Sequence, residues 1–172
     1  MKPGQVPRKT ARTVLLAGEG DSEVLFMQHL KRLYVQRGSG VAVTIKNARG
    51  KGAGHVVDFA SRHSRNAAFD VTAALLDTDT DWNDKVRTMA RKAKVQVLAC
   101  EPCLEAVLLQ VHDVRVHERT TAELKRMFAA RFGSVASDEV VYAKHFSMLQ
   151  VEAAHPRMPL LAELIRLLNG QG

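Results

Sequence analysis

Four short apolar runs, at residues 13–18, 41–46, 71–76 and 95–99, alternate with three amphipathic stretches, and this alternation restricts the fold more than any other feature. Runs of five or six residues are too short for buried helices and suit strands covered on both faces. The stretches between them carry helical periodicity. Phe26, Leu30 and Leu33 recur at i, i+4 and i+7 with Met27 and Tyr34 beside them, while Lys31 and Arg32 fall on the opposite side. Trp82, Val86, Met89, Ala90 and Ala93 repeat the pattern, with Lys85, Arg87, Arg91 and Lys92 off the stripe. Helices are therefore expected over about 22–36, 54–65 and 82–93. The order reads βαβαβαβ, which predicts an α/β domain with a largely parallel four-stranded sheet flanked by helices.

Gly38 and Gly40 are expected to stop the first helix, since glycine tolerates the left-handed conformation in which helices often finish. After the fourth run, Pro102 suits a first helical position, and Glu101 and Glu105 complement the positive end of that helix. Residues 107–111 are apolar on nearly every side, so the helix should be sandwiched inside the domain. Additional C-terminal helices are expected over 121–131 and 160–168, whereas 133–158 carries no readable pattern. A chain of 172 residues with 46% hydrophobic content supports one domain, 13–172, after a flexible basic arm, 1–12, that holds Lys2, Arg8, Lys9 and Arg12.

The net charge of +7 favours polyanionic partners, nucleic acid first among them. No apolar stretch is long enough to span a membrane and the N-terminus lacks a secretory apolar region, so a cytoplasmic protein with no membrane partner is expected. Cys100 and Cys103 should then be reduced. Their C-x-x-C has no second cysteine pair and no H-x3-H spacing beside it, and it reads as two thiols near a helix start in preference to zinc ligands.

Carboxylates cluster where the strands end. Glu19 follows the first run, with Asp21 beside it, and Asp77, Asp79 and Asp81 follow the third. In a parallel sheet those ends open on one crevice, and alternate residues of an extended segment point the same way. The density suits Mg²⁺, with Mn²⁺ as substitute, held by Asp77, Asp79 and Asp81; calcium would ask for more oxygens. The competing reading is a solvated acidic turn in which Asp81 caps the next helix. Glu19 lies between Gly18 and Gly20, whose small size would let a substrate approach a carboxylate acting as acid, base or ligand, or simply facing water. Arg49, Gly50, Lys51, Gly52 and Gly54 open the second helix and could offer amides and cations to a phosphate, or form a plain glycine loop; no Walker A ending is present. His112 closes the apolar helix and would complement its negative end.

Together these segments resemble a TOPRIM domain, and more closely the RloB-like branch. The run from Leu15 to Glu23 is similar to that branch's opening E-G-x-[ST]-E, and residues 50–54 to its glycine-rich turn. The run from Glu101 to His112 is similar to its N-P-C-F-E-L-W-L-L-L-H motif, with Glu101 in place of asparagine and Ala106-Val107 in place of leucine and tryptophan. The resemblance implies Glu19 as acid/base or metal-adjacent carboxylate, Asp77 and Asp79 as metal ligands, and Glu23 and Glu105 as neighbouring acids, with Cys103 and His112 as further motif positions. It implies a Mg²⁺-dependent nuclease acting on DNA or RNA, in a phage-defence or restriction setting. The alternatives are a non-catalytic nucleic-acid-binding or regulatory module working with a protein partner from the same operon or as a homodimer, and phosphoryl transfer on a small nucleotide.

Overall fold

The computed structural model describes residues 11–171, so most of the basic arm lies outside the described residues. Its first half alternates β1 (Arg12–Gly18), α1 (Asp21–Tyr34), β2 (Val41–Asn47), α2 (Gly52–Ala67), β3 (Val71–Asp77), α3 (Asp84–Lys92) and β4 (Gln96–Cys100). All strand pairs are parallel, in the order β2-β1-β3-β4. The sequence places β1 and β3 at the centre because they are the most continuously apolar; Val14 to Ala17 and Thr72 to Leu76 are buried.

The period-two alternation of the strands separates two cores. Val14, Leu16, Ala73, Leu75 and Leu98 face a cluster that contains Phe26 and Leu30 of α1. Ala17, Ala74 and Leu76 face Val56, Val57 and Ala60 of α2 and Val86 and Ala90 of α3, where small residues bring the helices close to the sheet. With α1 on one face and α2 and α3 on the other, the strand order reverses between β1 and β3. A doubly wound sheet opens its crevice at that reversal, outside the carboxyl ends of the strands.

The C-terminal part adds α4 (Leu104–Val111), α5 (Thr121–Phe132), α6 (Glu139–His145), α7 (Met148–Ala154), a 3-10 turn at His155–Arg157, and α8 (Pro159–Leu168), all on the α1 side. Every residue of α4 except Gln110 is buried, as its all-round apolar pattern predicts. The unreadable 133–158 region holds α6 and α7, two turns each, started by Asp138 and Ser147 side chains that accept from the amides of Val140 and Gln150. Tyr142 is fully buried among Phe26, His29 and Phe146, and its hydroxyl donates to the Ala136 carbonyl at 2.6 Å.

Several boundaries differ from expectation for local reasons. α1 ends at Tyr34, before the glycine pair, and Gly38 and Gly40, both with positive φ, shape the turn into β2 instead. Asn83, not Asp81, caps α3 by accepting from the Val86 amide at 3.1 Å, which leaves Trp82 outside the helix with the Arg87 guanidinium over its ring. Pro102 precedes the α4 N-cap, Cys103, and is not a helical residue. At the sheet's outer edge, the Lys31 ammonium donates to the Val43 carbonyl of β2 at 2.7 Å.

Candidate functional site

Glu19 and Asp77 meet because β1 and β3 are neighbours in register, with Gly18 opposite Leu75. The Glu19 amide continues the ladder by donating to the Leu75 carbonyl, and its carboxylate turns across the end of β3, where Oε2 accepts from the Asp77 amide at 3.0 Å. Asp77 itself reaches the start of α4, Oδ1 accepting from the Leu104 amide at 2.9 Å. Asp79 is anchored by α5, whose first residue, Thr121, donates its hydroxyl to Asp79 Oδ2 at 2.7 Å. Each of these three carboxylates thus has one oxygen fixed by the fold and a second that takes no hydrogen bond from a described residue.

The electrostatics of this group are one-sided. Burial, then the charges of Glu23, Glu19, Asp79 and Glu105, push the Asp77 carboxyl up to about 8. Glu19 is raised by burial and by Asp79 and Asp81, against the Asp77 amide and the ammonium of Lys125, which pull it down. Glu23 is raised chiefly by burial and secondarily by Glu19 and Glu105. None of these acids forms an ion pair with a described residue. Lys125 was not singled out from the sequence, yet it lies one helical turn after Thr121 and therefore on the same face of α5.

The remaining expected residues take other positions. Glu23 is buried and holds the start of α1, its Oε2 accepting from the Gly20 amide at 2.8 Å. Asp21 accepts from the Asn47 side chain. Glu105, buried in the first turn of α4, is close enough for its charge to raise the Asp77 carboxyl. Gly18 serves packing before access: a Cβ there would lie 2.9 Å from Val24 and 3.1 Å from the Met27 methyl of α1.

Asp81 has both its oxygens engaged by the start of α2. Its two oxygens accept from the amides of Ala53 and Gly54 at 2.6 and 3.2 Å, so it caps α2 from 28 residues away. Its pKa is lowered because these amide bonds, with the Thr80 hydroxyl, outweigh the burial that acts in the opposite direction. Asp81 closes the start of α2, and the Ala53 and Gly54 amides of the glycine loop already hold this carboxylate. Gly52 has φ +84, and a Cβ on it would lie 2.5 Å from Asp81 Oδ1, so the loop is built around that contact. Gly50 donates its amide to the Glu19 carbonyl at 2.6 Å, which seats the loop on the crevice rim, while the Arg49 and Lys51 side chains stay exposed.

Three further residues are structural in geometry. His112 caps α4 at its C-terminus, its Nε2 2.7 Å from the His145 carbonyl and its ring edge-on to Phe132 and Phe146. Burial lowers its pKa, against the His145 carbonyl that its ring nitrogen approaches, which raises it. Cys100 and Cys103 are free and buried, and burial pushes the Cys103 thiol up to about 12.

Among the described residues, no three histidine, cysteine or carboxylate side chains stand together as a ready metal cage. Such a donor set could hold an ion that takes one or two carboxylates and keeps most of its waters, as Mg²⁺ does, and lacks the ligands that calcium or zinc would need. Asp77 and Asp79, each with a second oxygen that takes no hydrogen bond from a described residue, are the carboxylates that could hold it. No helix among the described residues is long and apolar enough to cross a membrane. Fold and crevice define a doubly wound α/β protein with acids gathered at its central strand ends. Compared with protein families, curated proteins and solved structures, the chain matches none.

Proposed function

We propose that the chain is a Mg²⁺-dependent phosphodiesterase acting on nucleic acid, with Mn²⁺ able to substitute. The observation that carries this reading is the hydrogen bond between Glu19 and the Asp77 amide, which draws acids from both central strands to the switch point of the sheet. Asp77 and Asp79 would hold the cation through their free oxygens. Bound there, it would draw charge from the scissile phosphate and lower the pKa of a coordinated water.

The chain's own groups supply the rest. Glu19, with a carboxyl raised by burial, is suited to take the proton of the attacking water as the phosphorus–oxygen bond to the leaving group breaks. Lys125, Arg49 and Lys51 flank the crevice as cations that draw in the phosphate backbone, which the bare acids alone would repel. A binding module without turnover is the second reading; the lack of a ready three-ligand cage among the described residues favours it.

Calorimetric titration of Mg²⁺, paired with cleavage of labelled DNA and RNA oligonucleotides, tests the proposal. The wild type should bind the ion and cleave only with it. Asp77→Asn should weaken binding at least about tenfold, by analogy with the loss seen when a metal's supporting groups are removed, and stop cleavage. Ion binding without any product over a Mg²⁺ and Mn²⁺ series would leave the binding module. Equal Mg²⁺ affinity in both proteins would remove Asp77 from the site.

A further inference from the structure

A second feature lies on the opposite face from the C-terminal helices. Between α2 and α3 runs an open cleft of about 970 Å³, floored by Val57, Met89 and Ala93. Its cations are Arg65 from α2, Lys85 and Lys92 from α3, and Lys94 just beyond. The two acids along it are already neutralised by their own helices: Asp58 pairs with Arg62 at 2.9 Å and Asp84 with Arg87 at 2.8 Å. Arg65 directs its guanidinium to the Ser61 hydroxyl and carbonyl, and the three lysines have no carboxylate partner among the described residues. The cleft therefore keeps an unbalanced positive charge over an apolar floor.

We propose that this cleft is a docking groove for a single strand of nucleic acid, with phosphates along the α3 lysines and Arg65 opposite and bases against the apolar floor. The ligand class comes from the proposed function; the groove itself does not depend on catalysis. Charge complementarity and shape both favour this occupant. Lys85 and Lys92 are two helical turns apart on one face, about 10 Å, which is the rise of about three nucleotides. A lipid surface, being flat, has no way into a cleft between two helices. The groove starts at Asp84 and Lys85, next to Asp81, whose carboxylate packs with Val86 and Met89 around Gly54 at the rim of the acidic crevice. A strand lying in the groove is thus led toward Glu19 and Asp77.

The test is fluorescence anisotropy of a labelled single-stranded DNA of about twenty nucleotides, titrated with protein in EDTA over a salt series, for the wild type and for the double variant Lys85→Gln, Lys92→Gln. Both lysines are exposed, so the variant should melt as the wild type does. The expected result is binding at least about tenfold weaker at low salt, with a log–log salt slope shallower by about 1.4, at roughly 0.7 per lost phosphate contact. An unchanged slope and affinity would overturn the groove. So would a labelled polyglutamate, or vesicles of anionic lipid, binding the wild type more tightly than DNA does and losing that binding in the variant. Because the readout is taken in chelator, failure of the cleavage proposal leaves it intact. Conversely, metal-dependent cleavage with normal kinetics and normal DNA affinity in the variant would remove the groove alone.

Discussion

Asp77 ends β3 with one oxygen on the Leu104 amide and four other acids raising the cost of its charge. Its carboxyl stands at about 8 in the folded chain against 3.8 ordinarily, so between those values the native state holds a proton that the unfolded chain has released. Stability from this group is whole below about pH 4 and is lost as pH rises to about 8. His29 and His112, lowered from 6.5 by burial, act in the opposite sense and only below about pH 6.5. In chelator, the wild-type melting temperature should therefore fall between about pH 7 and 8, and Asp77→Asn should flatten that fall. Scanning calorimetry at both pH values checks this; identical slopes would mean that Asp77 is ionised throughout. The strand-end position of Glu19 and Asp77 was legible in the sequence because a strand and its following acid are adjacent along the chain. Lys125 was not: its place beside Glu19 depends on how α5 folds back over the crevice, which no local pattern records.

Among the elements, α2 shows most plainly how a distant residue sets a local structure. Its start is closed by Asp81, and Gly52 is left without a side chain where that carboxylate passes. Asp81→Ala should cost about 1 kcal/mol as a lost helix cap. Gly52→Ala should cost more than about 1 kcal/mol, because a positive φ and a clash with Asp81 act together. Combined, the two changes should cost less than their sum, since removing Asp81 relieves the clash; urea denaturation of the three variants measures the coupling. Strict additivity would show that the two residues do not touch. The alternative that Asp81 caps the next helix fails for a physical reason: an acid just before an apolar run fits such a cap, and Asn83 performs that task two residues later. Helices α1 to α3 were legible because each repeats its stripe over several turns. The short α6 and α7 were not, since two turns give too few repeats to tell a helix from a loop.

For the whole molecule, the sheet is only half of what holds one core together. α4 is buried on nearly every side, and part of that cover comes from α5, α7 and α8, whose Leu124, Phe128, Val151 and Leu164 share its cluster. A chain ending at residue 112 should therefore show no cooperative melting by circular dichroism and should associate through the bared helix, although it keeps every strand. A sharp, reversible transition in that fragment would mean that the sheet and α1 to α4 suffice. At the other margin, β2 is an outer strand, and a strand with idle carbonyls invites foreign chains to extend the sheet. The ammonium that α1 lays on Val43 fills one such rung, so an intruding peptide meets a positive charge where it would need a hydrogen-bond acceptor.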